Sequence, residues 1–171
     1  MEEFVILVDP NDQEIGLMEK QQAHVAGLLH RAFSVFIFNS KGELMIQQRA
    51  ASKYHSPTLW TNTCCSHPRE NESYEAAAHR RLVEEMGFDC DLSFKFQFIY
   101  KANLDNGLTE HELDHVFVGT YDGEPKLNAD EVMAYRWVEM EDLKKDMIKN
   151  PQNYTAWFKI IFENYISHIE S

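Results

Sequence analysis

The chain has 171 residues, 44% of them hydrophobic, enough for one domain with a sizeable core and no need of disulfides or a structural metal. Its formal net charge is −12 and its basic residues form no long run, so a nucleic-acid partner is not expected. No stretch approaches the ~20 apolar residues of a membrane span, and MEEFVILV at residues 1–8 opens on acids rather than a basic leader, so the expectation is a cytoplasmic protein without a membrane partner.

In chain order, EFVILV (3–8) predicts a first strand and AFSVFIFN (32–39) a second. NSKG (39–42) is turn chemistry leading into ELMIQQR (43–49), which predicts a β-hairpin. Residues 73–86 predict a helix, with Ser73 as its cap, Glu75 in the first turn and Gly87 just beyond the end. Strands follow at 94–102, 111–121 and 131–138, and a short helix at 139–147. From Thr155, apolar side chains at Trp157, Phe158, Ile161, Phe162, Tyr165, Ile166 and Ile169 mark an amphipathic C-terminal helix. Strands and helices interleave without a regular βαβ period, so the class is α/β in the α+β sense. The expected architecture is a mixed sheet between helices, in a single domain over 1–171.

TNTCCSHP (61–68) places Cys64 and Cys65 side by side, two residues before His67. With Cys90 the total is three cysteines, which argues against a disulfide framework. A zinc knuckle would need a second Cys/His pair at matching spacing, and none is present. Packing or reactivity remains. In EHELDH (110–115), strand alternation puts Glu110 and Glu112 on one face. Two carboxylates so close repel unless a cation lies between them or one takes up a proton. Exposed acids on an edge strand are the alternative.

Residues 66–88, SHPRENESYEAAAHRRLVEEMGF, resemble the Nudix box, G-x5-E-x7-R-E-U-x-E-E-x-G-U with U apolar. Glu72, Arg80, Leu82, Glu84, Glu85, Gly87 and Phe88 match, while Ser66 replaces a glycine and Arg81 a glutamate. In such a box, carboxylates one helical turn apart gather Mg²⁺, which holds a diphosphate. Arg81 exchanges one carboxylate for a cation, so loss of diphosphate hydrolysis is expected. An ordinary i,i+4 surface ion pair with Glu85, worth a few tenths of a kcal/mol, is the plainer reading.

LHRAFSVFIFNSKGELMIQQRA, LWTNTCCSHP, ESYEAAAHRRLVEEMG, FIYKA, EHELDHVF and DEVMAYRWV together resemble the type 1 isopentenyl-diphosphate Δ-isomerases, from about residue 4 to at least 160. The resemblance implies a Nudix-like mixed β-sheet sandwiched between α-helices, with its Nudix-like region over about 30–165. It implies reversible 1,3-allylic isomerisation of isopentenyl to dimethylallyl diphosphate through a tertiary carbocation. An alkene is a poor base, so this chemistry needs a well-placed acid, an opposing base, a dry pocket and a π face. By resemblance, Cys65 and Glu112 are the opposed proton-transfer groups, and Tyr100 hydrogen-bonds Glu112. Trp157 faces the cation, although Ala156 stands where many members have proline; a plain core role for Trp157 stays open. A divalent ion, Mn²⁺, Zn²⁺ or Mg²⁺, falls to His24, His30, His67, Glu110 and Glu112. His24 and His30 are six apart rather than the family's seven, which a flexible loop at Gly27 absorbs. Lys20, Arg49, Lys53 and Arg81 match cations that bind the diphosphate. Glu85 and the backbone carbonyl of Cys65 match the holders of a second, diphosphate-bridging Mg²⁺. His55, His79, His111 and His168 are expected to be surface or core residues, with His115 turned away from Glu112 and Asp114 towards it. The expected partner is the small-molecule substrate alone, bound by a monomer or weak homodimer. The alternatives are a Nudix diphosphohydrolase and a non-catalytic metal- or ligand-binding module.

Overall fold

The computed structural model describes residues 3–170. Met1, Glu2 and Ser171, the ends of the expected domain and the start of the segment compared with a leader, lie outside the described residues. In chain order the elements are β1 (Phe4–Val8), β2 (Glu14–Glu19), α1 (Lys20–Ala26), β3 (His30–Phe38), β4 (Leu44–Arg49), β5 (Trp60–Thr61), β6 (Cys64–Ser66), α2 (Tyr74–Met86), β7 (Leu92–Asn103), β8 (Thr109–Thr120), β9 (Val132–Val138), α3 (Met140–Lys149) and α4 (Ala156–Glu170).

β3, almost continuously apolar, is the axis of the mixed sheet. One edge pairs in parallel with β8 from His30↔Glu112 to Phe38↔Thr120. The other edge is shared in succession by β1 at His30, β6 over Phe33 to Val35 and β4 at Phe38. β7 lies beyond β8, β2 beyond β1, and β5 and β9 flank β4. The turn over 39–42 forms, with Asn39 and Glu43 bonded at 3.0 Å, but its two strands share only the Phe38↔Leu44 pair before parting. The hairpin opens because β4 turns to pair with β9 and β5, and the gap admits β6.

Alternation sorts the side chains between two layers. Phe33, Val35, Ile37, Cys64 and Phe117 pack on Ala77, Ala78, Leu82 and Met86 of α2. Phe36, Phe98, Tyr100 and Val116 pack on Trp157, Phe158, Ile161 and Phe162 of α4, with Leu143 and Met147 of α3 at the margin. The sheet therefore lies between helices, as the pattern predicts. α2 starts where Ser73 Oγ accepts from the Ala76 N–H at 3.0 Å and ends at Gly87, φ 73°. A Cβ on Gly87 would also stand 2.5 Å from the Lys126 carbonyl oxygen, so glycine is required there for space as well as conformation.

β2, α1, β5 and β6 escape the sequence reading. α1 is a seven-residue helix capped by the Glu19 carboxylate, which accepts from the Gln21 and Gln22 N–H groups at 3.1 and 2.9 Å. Gly27, φ 67°, closes it, so the segment joining His24 to His30 is a capped helix end and not a flexible loop. Among the described residues, no helix is long and apolar enough to cross a membrane.

Candidate active site

Glu110, Glu112 and Asp114 occupy alternate positions on β8 and share the α4-facing side of the sheet. Both glutamates are only 4% exposed, and β8 is an inner strand, so the reading as exposed edge-strand acids falls. Cross-strand register brings Tyr100 and His30 beside Glu112 from the two flanking strands. The Tyr100 hydroxyl donates to Glu112 Oε1 and lies 3.2 Å from Glu110 Oε2. Glu112 Oε2 lies 3.1 Å from His30 Nε2 and 2.8 Å from His67 Nε2, while His24 Nε2 stands 3.7 Å from Glu110 Oε1.

This cluster fits a divalent cation. Nδ1 of His24 lies 2.9 Å from the Lys20 carbonyl, and Nδ1 of His30 lies 2.9 Å from the Leu28 carbonyl. Carbonyls only accept, so each Nδ1 carries a proton; each Nε2 faces the interior, where a protonated ring donates to a carboxylate and a neutral ring offers a lone pair to a cation. His24 Nε2 is buried without a hydrogen-bond partner. Ligand atoms of His24, His30, His67 and Glu112 all lie within 4.8 Å of one another. Imidazole and carboxylate donors around an orphaned nitrogen make a cation-binding set.

Electrostatics separate the groups into acids and bases. Burial, then the Glu112 charge, pushes Glu110 up to about 7. Burial opposes ionisation of Glu112 too, but hydrogen bonds and charge from His30 and His67 hold it well below the usual carboxylate range. Burial pushes His67 down to about 4 against the pull of Glu112. Burial and the neighbouring carboxylates push the Tyr100 phenol up, so it stays a donor. Burial drives the Cys65 thiol up, with Arg49 opposing and Glu85, Glu110 and Glu112 adding, so the group is SH at neutral pH.

β6 resolves the adjacent cysteines. Cys65 pairs with Ser34, whose hydroxyl donates to Asp114 at 2.8 Å, so Cys65 shares the carboxylate face. Cys64 pairs with Val35 and turns into the α2-side core. All three cysteines are free. Cys65, Glu110, Glu112, Trp157, Arg49 and Arg81 line one cavity of about 210 Å³.

Trp157, in the first turn of α4, is 3% exposed and belongs both to the core and to the cavity wall. The helix starts without proline, with Thr155 Oγ1 accepting from the Phe158 N–H at 3.4 Å. The Arg49 guanidinium lies 5.2 Å over the indole.

Lys20, Lys53 and Glu85 also border the cavity, and every cation there already has a partner. Lys20 meets Glu3 at 2.7 Å, Lys53 pairs with Glu131, and Arg49 donates to the carbonyls of Ser56 and His55, each at 3.2 Å. Arg81 contacts Glu85 at 2.7 Å, Glu84 at 2.9 Å and Glu131 at 3.3 Å. The Arg81–Glu85 ion pair is real, but it is a cavity wall rather than a surface pair, the two side chains being 12% and 6% exposed.

His79 pairs with Asp89 at 2.6 Å, His111 lies 3.2 Å from the Gly27 carbonyl, and His115 stacks on Tyr74 at 3.5 Å, all away from the cavity. His55 is buried, 5% exposed, as a core residue would be, and it also borders the cavity, its ring centre 5.3 Å from that of His24. Tyr54, whose hydroxyl lies 2.8 Å from His24 Nδ1, and Glu131 were likewise not singled out from sequence. The only signal for them was position, beside Lys53 and at the head of the 131–138 strand.

The sequence pattern of the NUDIX domain matches residues 28–158, and the chain belongs to that superfamily. Among curated proteins it is 55% identical over 161 residues to isopentenyl-diphosphate Delta-isomerase 2 of Photorhabdus laumondii, covering 94% of this chain and 91% of that one. Isopentenyl-diphosphate Delta-isomerase of Pectobacterium atrosepticum is 52% identical, over 92% of this chain and 88% of its own. The chain is thus a member of the isopentenyl-diphosphate Delta-isomerase family. Solved structures show the same fold at low identity: a crystal structure from Deinococcus radiodurans superposes with a TM-score of 0.78 at 18% identity, covering 95% of this chain and 99% of that chain. The MutT protein of Methanosarcina mazei gives 0.66 at 20% identity, with coverages of 81% and 94%.

Proposed function

We propose that this isomerase interconverts isopentenyl and dimethylallyl diphosphate by proton addition and removal on opposite sides of the allylic unit. The observation that carries the reading is one small cavity faced by a protonated thiol, Cys65, and an ionised carboxylate, Glu112, with four basic side chains around it. Cys65 and Glu112 come from strands on opposite edges of β3, so the two groups approach the cavity from different sides.

In the forward direction the Cys65 thiol gives its proton to the terminal alkene carbon, C4, which leaves a tertiary cation at C3. Glu112 then removes a proton from C2, and the new double bond closes between C2 and C3. In reverse the roles exchange. Tyr100 donates to Glu112 and holds the carboxylate in place. The Trp157 indole faces the cavity, and its π surface favours a cation that water must not reach.

Lys20, Arg49, Lys53 and Arg81 bind the diphosphate. His24, His30, His67, Glu110 and Glu112 would hold Mn²⁺, Zn²⁺ or Mg²⁺, and Glu85 with the Cys65 carbonyl would hold a Mg²⁺ on the diphosphate. When bound, such ions would lower the proton affinity of the carboxylates they touch and offset the charge of the diphosphate, which stays attached to the substrate throughout. The protein is assigned to the cytoplasm as a monomer or weak homodimer, with no nucleic-acid or membrane partner.

Incubation with isopentenyl diphosphate in D₂O with Mg²⁺ tests the reading. Deuterium at C4 of dimethylallyl diphosphate supports it, and product without deuterium there refutes it. Phosphate release from nucleoside diphosphate derivatives without isomerisation would favour the hydrolase alternative, against which Arg81 stands in place of the box's glutamate.

A further inference from the structure

One carboxylate outside the assigned set stands between two of the diphosphate cations. Glu131, just before β9, borders the cavity, and its Oε2 meets both Lys53 Nζ and, at 3.3 Å, Arg81 Nη2. We propose that Glu131 sets the affinity of the site for the diphosphate: it holds the same nitrogens that take the substrate's anion, so binding exchanges one anion for another. This rests on Lys53 and Arg81 being diphosphate ligands, the reading given above.

Three observations carry it. First, Arg81 does not need Glu131 to keep its place. Its guanidinium meets Glu85 at 2.7 Å and Glu84 at 2.9 Å, both on its own helix. Arg80 joins the same chain of ion pairs through Glu84 and Glu72, so the chain holds three cations against four carboxylates. Burial opposes ionisation of Glu131, but Lys53 and Arg81 hold it below the usual carboxylate range, so it is the surplus charge an incoming anion meets. Secondly, the backbone of Glu131 is fixed while its side chain has room to turn. Its N–H donates to the Asn128 carbonyl at 2.9 Å and its carbonyl accepts from the Ala50 N–H at 3.0 Å, whereas its side chain is 21% exposed. Rotation of that side chain releases both cations without moving a strand. Thirdly, the isomerisation leaves the diphosphate unchanged. A tighter grip there holds product as firmly as substrate and adds nothing to the chemical step.

The competing explanation is that Glu131 orders Lys53 for the anion, and the two readings predict opposite signs. Binding of inorganic diphosphate with Mg²⁺ to the full-length protein is measured by titration calorimetry for the wild type, Glu131→Gln and Glu131→Ala, with circular dichroism as the check on folding. Both variants should bind diphosphate about 5–50-fold more tightly, because a like charge facing the ligand has been removed. KM for isopentenyl diphosphate should fall in parallel while kcat does not rise. Weaker or unchanged diphosphate binding in either folded variant overturns the proposal. Lys53→Gln and Arg81→Gln should each bind diphosphate more weakly. If neither does, the diphosphate seat itself is misassigned, a distinguishable failure.

Discussion

Replacing each of the two adjacent cysteines by serine separates stability from chemistry. Cys64 is fully buried among Phe33, Leu82 and other apolar groups of the α2-side core. A serine hydroxyl there has no acceptor within the apolar cluster, and leaving such a group unsatisfied costs about 1–3 kcal/mol. For a chain of this length each kcal/mol moves Tm by about 2–4 °C, so Cys64→Ser should melt about 2–12 °C lower. Turnover per folded molecule should hardly change, because the side chain points away from the cavity. Cys65 borders the cavity, where a hydroxyl meets polar neighbours. Cys65→Ser should therefore keep its Tm within about 2 °C, as a substitution outside the packed core does. Its kcat should fall by about 10²–10⁴-fold, the contribution of one positioned proton-transfer group. Calorimetric melting and an allylic isomerisation assay on the same preparations decide the matter. If Cys64→Ser loses turnover while keeping its Tm, or Cys65→Ser stays active, the assignment of the two cysteines to opposite faces of β6 is wrong.

Four further outcomes are expected. Glu112→Gln should lose turnover by at least about 10²-fold in the same assay with far-ultraviolet circular dichroism unchanged, because the amide can neither take up the proton from C2 nor return it. Stripping bound ions with a chelator should lower Tm by about 5–11 °C, the equivalent of the ~2.7 kcal/mol that a ligand at 100 times its Kd contributes; an unchanged melt would argue against the histidine–glutamate cluster as a metal site. Metal affinity, followed by titration calorimetry, should weaken as pH falls below about 6.5, since protons compete with the ion for the imidazoles. Arg81→Gln should lower kcat/KM by about 10–100-fold, matching the ~1.5–3 kcal/mol of a charged hydrogen bond, mainly through KM and with weaker inhibition by inorganic diphosphate.

The long elements were legible because each carries a full period of its pattern. α2 has its cap, its apolar stripe and its terminal glycine in sequence, and α4 repeats apolar side chains over four turns. β2, α1, β5 and β6 were not, for physical reasons. α1 is too short to show a stripe, and its stability comes from the Glu19 cap and from packing across β8. β6 is three residues whose strand character comes wholly from pairing with β3. The positions of the assigned site residues came from family resemblance. The pattern itself offered only the alternation of Glu110 and Glu112, and it left open whether they lay on an edge. His55 was passed over because the left-handed turn at Ser56 that directs it involves no glycine, the residue that ordinarily announces such a turn.

That dependence on distant pairing bears on how the site is held together. Had the 39–42 hairpin zipped along its whole length, β4 would have taken the edge of β3 that β6 now occupies. Ser34 would then face a β4 side chain, and Cys65 would have no strand to fix which way its thiol points. Instead the hairpin opens after Phe38↔Leu44, and β6 pairs residue for residue with Phe33, Val35 and Ser34. With β8 pairing along the opposite edge, one buried strand sets the register of both proton-transfer groups. A single-residue slip of β6 would exchange the two cysteines, burying the thiol of Cys65 beneath α2 and presenting Cys64 to the cavity. Thr63 and Asn62 resist that slip: Thr63 Oγ1 donates to the Met45 carbonyl at 2.6 Å and accepts from the Ile37 N–H at 2.9 Å, while Asn62 donates to the Val35 carbonyl at 3.1 Å. Those buried bonds tie the segment to β3 and β4 just before Cys64. The residues that precede the cysteines are thus the ones that decide which cysteine reacts.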